Sequence, residues 1–261
     1  MQKLLLLTKV LVLLLYTSIA SAEVLFEGYY KLTQNSEHIG YIIQRYELDS
    51  ASKTFSSTYY MFTKAGEVTS TESLNAKSST KLEPQSYQYS RLEGKNMKAI
   101  DAIIKTAPGK PSKLVAKIVE NGKKPVIKEI PLNDRIFLST FVTHLVLQNP
   151  KGLATGNKFT YQAIAEEDAE VNSGEVFIKE QVKEQGLDTF RTLNTYKNEE
   201  YVNWLDIKGE SVKTSVLKLN LEAVLVANAK DAYLTMPFSE KNIKALFGNI
   251  PEGKKNLLNG K

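Results

Sequence analysis

Apolar and polar residues alternate along most of this chain, in short runs separated by polar turns. A period of two is what a strand needs when one face is buried and the other meets water. The pattern predicts strands over 24–33, 39–48, 54–63, 67–74, 85–91, 97–105, 114–120 and 126–130. Turn residues fall between them at Asn35-Ser36-Glu37, Ala65-Gly66, Pro108-Gly109 and Asn121-Gly122. Asn-Gly between two alternating runs is a strong hairpin signal. Gly40, inside the second run, predicts a bulge or a close backbone approach.

One stretch changes period. Ile136, Phe137, Phe141, Val142, Leu145 and Val146 recur at helical spacing after the N-cap candidates Asn133 and Asp134, and Pro150 closes the run. This predicts a central amphipathic helix over 134–148 whose apolar stripe packs on a sheet or plugs its open end. A lid or a membrane-facing helix would carry the same stripe. Strands resume at 158–165, 175–182, 189–196, 201–207 and 212–219, with Gly174, Gly186 and Gly209 at the turns. Residues 223–233 satisfy strand and helix equally. Ser239 caps a short C-terminal helix over 239–247, and 253–261 reads as a frayed tail. No linker separates the halves. The expected fold is mainly β, a single domain over 23–261: a large curved antiparallel sheet or an open β-roll or barrel.

Residues 1–22 stand apart. Lys3 precedes an apolar run that ends in Ala20-Ser21-Ala22, the anatomy of a cleavable signal peptide. The run is shorter than the roughly 20 apolar residues of a membrane span and is interrupted by Lys9. The expected product is a periplasmic or secreted protein with no stable membrane span. Its 239 residues carry 32 basic and 29 acidic side chains, a net charge of +3 too mild to argue for nucleic acid. Cysteine is absent, which excludes disulfides, thiol chemistry, Cys-based zinc sites and lipoprotein anchoring. The core alone must hold the fold, and a chain of this size buries about 70–75% of its unfolded surface.

Candidate chemistry is sparse. The histidines are His38 and His144, too few for a zinc hydrolase and better read as structural. There is no Gly-x-Ser-x-Gly elbow or phosphate-binding glycine loop, so neither a catalytic residue nor a cofactor is expected. Glu166, Glu167, Asp168 and Glu170 form an acidic run without the spacing of a calcium loop, which reads as a solvated turn. Basic residues gather between Lys105 and Lys128, and Lys113, Lys117, Lys123 and Lys124 are the candidate surface contacts for anionic partners. The alternative is edge protection, since lysines and Pro125 on an exposed hairpin block unwanted strand pairing. Tyrosines in neighbouring strands (Tyr59, Tyr60, Tyr87, Tyr89) could line a groove for glycan or lipid. They are also strong strand formers that pack across a sheet.

Several short pieces carry a resemblance: Gly28-Tyr29-Tyr30, His38-Ile39-Gly40-Tyr41, Lys81-Leu82-Glu83-Pro84-Gln85-Ser86-Tyr87, Gly156-Asn157-Lys158-Phe159, and Trp204-Leu205-Asp206-Ile207-Lys208-Gly209-Glu210 leading into Val212. Together they resemble an exported bacterial β-roll family of unknown function, similar to the β-rich domains that precede transglutaminase-like cores. The resemblance implies a fold and an address and brings no catalytic residue, because such a core needs a cysteine nucleophile. The last piece reads as a strand with its one tryptophan buried, followed by a turn and a returning strand. The expected function is an envelope-associated, non-enzymatic binding or adaptor module for an envelope protein, lipid or glycan. A periplasmic lipid or lipoprotein carrier with an apolar concave face is the second reading, although such carriers begin with an amphipathic helix. An envelope hydrolase is the third.

Overall fold

The computed structural model describes residues 22–106, 109, 111–132 and 135–259. Residues 1–21 of the expected signal peptide, Pro108, Lys110 and the cap candidates Asn133 and Asp134 lie outside the described residues. Among the described residues, fifteen strands form one nearly closed, barrel-like sheet. The first half is a meander: β1 (Glu23–Gln34), β2 (Glu37–Asp49), β3 (Thr54–Ala65), β4 (Val68–Ser79), β5 (Pro84–Glu93), β6 (Asn96–Lys105), β7 (Ser112–Glu120) and β8 (Val126–Leu132). The second half holds β9 (Ile136–Leu138), β10 (Lys158–Ala165), β11 (Glu170–Glu184), β12 (Leu187–Tyr196), β13 (Glu199–Leu205), β14 (Ser211–Val216) and β15 (Leu221–Val226). Short turns make sequence neighbours sheet neighbours. The halves join where β1 pairs antiparallel with β15, from Tyr29 opposite Val226 to Gln34 opposite Leu221. Edges remain at β8 and β9.

The roll is held from inside. Leu74, Tyr87, Ile100 and Leu114 of β4–β7 share one buried cluster with Phe137, Tyr161 and Ile178 of β9–β11. Phe141, Val142 and Val146 sit in the same cluster, so the central helix lies within the roll. That helix starts later than the sequence pattern predicts. Residues 136–138 form β9, parallel to β10, and a 3-10 turn (Ser139–Phe141) then leads into α1 (Val142–Gln148). Ile136, Phe137 and Leu138 are all buried, and a strand buried on both faces gives a continuous apolar run that reads like the start of a helix.

The C-terminal region covers the outer face of β1–β3. Residues 223–233 divide into β15 and α2 (Ala229–Tyr233), and α3 (Glu240–Phe247) follows. Tyr29, Tyr41, Ile43, Tyr60 and Phe62 point outward and are buried against Ala232, Ile243 and Phe247. The tail is packed rather than frayed. Gly253 N–H donates to Glu27 Oε1 at 2.7 Å, Glu27 N–H to the Lys255 carbonyl at 2.8 Å, and Tyr29 hydroxyl to the Pro251 carbonyl at 2.9 Å. Glu27 in turn pairs with Arg45, buried on the same face, at 2.6 Å. Arg45 also donates to the Phe247 carbonyl and Asn249 Oδ1, at 2.9 and 2.8 Å. All of these links except the Glu27–Arg45 pair cross more than 200 positions, so local sequence gives no sign of them.

Three smaller expectations change. Gly174, expected at a turn, lies within β11 opposite Tyr161 and Tyr196. Trp204 lies opposite Lys213 on the outer face, half-buried beneath the lysine ammonium at 5.2 Å, and not in the core. β14 ends at Val216, and residues 217–219 form a 3-10 turn. Gly40 meets both expectations placed on it: the register shifts beside it, and a Cβ there would come within 2.0 Å of the Phe62 carbonyl oxygen.

Candidate functional site

The acidic run does its work at the inner mouth of the roll. Glu166, at the end of β10, turns inward and is buried. It accepts the Ser139 hydroxyl and, at 3.2 Å, the Thr140 N–H, which caps the first turn of the helical segment. Burial pushes its carboxyl up to about 7. Glu167 and Asp168 both take Lys197, and Lys98 reaches Asp168 at 3.2 Å. Lys128 of edge strand β8 meets Glu170 at 2.9 Å. The run expected to be a solvated turn therefore has one buried member, and the rest tie β6, β8 and the β12–β13 turn together. Among the described residues no three His, Asp or Glu side chains converge as a metal site.

Helix α1 leaves two chambers of about 160 and 170 Å³ inside the roll, both lined by Tyr46 and Thr143, and its C-terminal end borders a cleft of about 530 Å³ lined by Phe137, Leu145, Val146, Phe159 and Tyr161 among others. Strand pairing places Ile42, Gln44 and Tyr46 of β2 on the inner face with Tyr59 of β3. Thr214 of β14 and Ala223 of β15 share that face across β1. These residues, with Phe26, Tyr30 and Glu210, line the first chamber. Ser139, Thr140, Asn194, Tyr201 and Asn203 line the second, with Val142, Val146, Val176 and Leu205. Asn203 is 8% exposed and its Oδ1 is buried with no hydrogen-bond donor among the described residues. An unmet amide oxygen in a core costs about 1–3 kcal/mol unless something donates to it. Glu210 is half-buried, and among the described residues its carboxylate forms no hydrogen bond or ion pair of its own. Burial, followed by the negative charge of Asp206, raises it to about 7. Neither residue stands out in the sequence, although Glu210 closes one of the two seven-residue pieces carrying the family resemblance.

The outer surface offers other features. A depression of about 650 Å³ spans β10–β13, with Phe177, Leu193, Val202 and Leu217 among its lining. Its rim includes Lys158 paired with Glu175 at 2.7 Å. The candidate contact lysines lie elsewhere. Lys113 and Lys117 are on the outer face of β7, and Lys123 and Lys124 are in the exposed β7–β8 turn. Lys113 pairs with Glu129 and Lys123 with Glu120, so half of the group is already matched by acids. β8 is a sheet edge and carries Pro131 within it, the pattern of a protected edge.

Both histidines make local contacts. His38 Nε2 stands 2.9 Å from the carbonyls of Gly40 and Ala232 and links β2 to α2. His144 is edge-on to Tyr46 and Phe55 at 4.6 and 4.8 Å, and burial holds it down to about 4. The tyrosines divide by face. Tyr59, Tyr87 and Tyr89 belong to the inner cluster, whereas Tyr60 packs under the C-terminal helices.

No protein-family model matches the sequence, and no curated protein matches it. The structure is similar to the crystal structure of a β-barrel-like protein of domain of unknown function DUF1849 from Brucella abortus. The TM-score is 0.56 at 12% identity, over 77% of this chain and 96% of that one. At that identity the likeness is one of fold. It places the chain among β-barrel-like architectures and brings no activity with it.

Proposed function

We propose that this chain is an exported, non-enzymatic binding module of the cell envelope that takes a small ligand into the chambers beside α1. The observation that carries the reading is the buried Oδ1 of Asn203, which has no donor among the described residues and belongs to a residue lining one chamber. Native cores satisfy nearly all such atoms, and a bound group that donates to it would complete the bonding. The resemblance to β-rich domains that precede transglutaminase-like cores fits a domain that binds and does not react. Each of the two chambers falls below the roughly 300–1,000 Å³ of ordinary drug-sized ligand pockets, which suits a small ligand or head group.

Native mass spectrometry of the secreted form, purified from its own source, tests this. A small-molecule adduct that dissociates when the protein unfolds is the expected result. Recovery of bare polypeptide alone, or of protein complexes without any small ligand, would overturn it.

A further inference from the structure

Four aromatic side chains, Phe26, Tyr30, Tyr46 and Tyr59, line the 160 Å³ chamber together with Glu210. Phe26 is packed against Tyr30 and Tyr46, with ring centroids 6.4 and 6.1 Å away. The tyrosine hydroxyls are engaged elsewhere: Tyr30 donates to the Ser211 carbonyl at 2.9 Å and Tyr46 to the Thr140 carbonyl at 3.1 Å. The neighbouring acid is engaged too, since Asp206 Oδ1 accepts the backbone N–H groups of Lys208 and Glu210 at 2.9 and 2.8 Å. Lys208 lies nearby and forms no ion pair with Glu210. The chamber therefore presents aromatic walls and one carboxylate that has no hydrogen-bond or ion-pair partner among the described residues and feels Lys208 only through space. Gln44, Tyr59, Thr214 and Ala223 keep partial exposure, so it communicates with solvent.

We propose that this chamber binds an organic ammonium group, with its charge against Glu210 and its carbon substituents against the aromatic walls. Aromatic rings attract such cations through their negative faces, and the attraction grows when water is excluded. A carboxylate left without a partner in a partly buried site gains most from an arriving cation. Size agrees as well. The chamber holds the equivalent of roughly five waters at about 30 Å³ each, which suits a trimethylammonium head and excludes the chain attached to it. The inference rests on the proposed ligand-binding role and names the class of ligand.

The test is calorimetric titration of the full mature chain with tetramethylammonium and choline, beside the neutral tert-butyl analogue of choline. Both cations should bind, and the neutral analogue at least tenfold more weakly. Glu210→Gln, which keeps shape and removes charge, should weaken cation binding at least tenfold. Glu222→Gln, which removes an outer-face partner of Lys213, should leave it unchanged. Thr214→Leu, which fills the chamber, should abolish binding while thermal unfolding of each variant confirms the fold. Phosphatidylcholine vesicles form a separate arm: their capture assigns the ammonium to a lipid head group, and binding of choline without vesicle capture assigns it to a free solute. Equal binding of the neutral analogue, no binding of either cation, or an unchanged Glu210→Gln variant would overturn the inference. An anionic or neutral adduct in the native mass spectrum would sink the ammonium class alone, and a protein without any adduct would sink the binding role beneath it.

Discussion

At the residue scale, the informative side chains are buried ionisable groups. Glu166 is held up to about 7 from an ordinary 4.5 by complete burial. Between those values the native state keeps a proton that the unfolded chain has released. Its contribution to stability is therefore fully present below 4.5 and lost as pH rises through 7. Glu210, also raised to about 7, acts in the same direction. His144, held down to about 4, acts oppositely: its contribution is present above 6.5 and lost as pH falls through 4. Glu166→Gln removes one of these terms. Urea unfolding should show the gap in folding constant between variant and wild type changing by about two orders of magnitude from pH 4.5 to 7, at tenfold per pH unit. Parallel pH curves would refute the assignment. On the outer face, Glu27→Gln takes from the buried Arg45 its close ion-pair partner, leaving Glu47 at 3.9 Å, and should cost about 3–5 kcal/mol in the same assay. None of these roles was legible in the sequence. Glu166 looked like one acid among several, and Glu27 and Arg45 looked like ordinary polar positions on alternating strands. What surrounds them comes from other segments: Ser139 and Thr140 against Glu166, and the C-terminal tail over Glu27 and Arg45.

At the element scale, period-two alternation located the strands well, because most of them bury one face and wet the other. It failed where both faces are covered. Residues 136–138 read as helix since Ile136, Phe137 and Leu138 are buried on both sides. The run 26–30 is buried without interruption because the inner core and the C-terminal helices take opposite faces of β1. The tail read as frayed for a related reason. It holds its place through backbone bonds to Glu27 and a tyrosine hydroxyl, which leave no apolar pattern. Deleting residues 249–261 should therefore uncover Tyr29 and Arg45, lower the melting temperature by several degrees and speed amide exchange in β1. Exchange in β1 unchanged by the deletion would restore the frayed reading. At the opposite end of the sheet, β8 should exchange faster than β2 and β3, because it is an edge strand interrupted by Pro131.

At the scale of the whole molecule, fold class was legible and closure was not. Alternation dictates that strands pair, but it says nothing about β1 finding β15 across nearly 200 residues or about the sheet curling around its own helix. Those depend on inward side chains from both halves meeting α1. The same geometry leaves the two chambers, and the proposed function puts the ligand there in preference to the larger outer depression over β10–β13. Hydrogen exchange of the protein with its copurified ligand, before and after the ligand is stripped, separates the two directly. Binding inside predicts that protection is lost over Ser139–Gln148 and over β2 and β14. Loss confined to β11–β13 around Phe177 and Leu193, or no change anywhere, would contradict it.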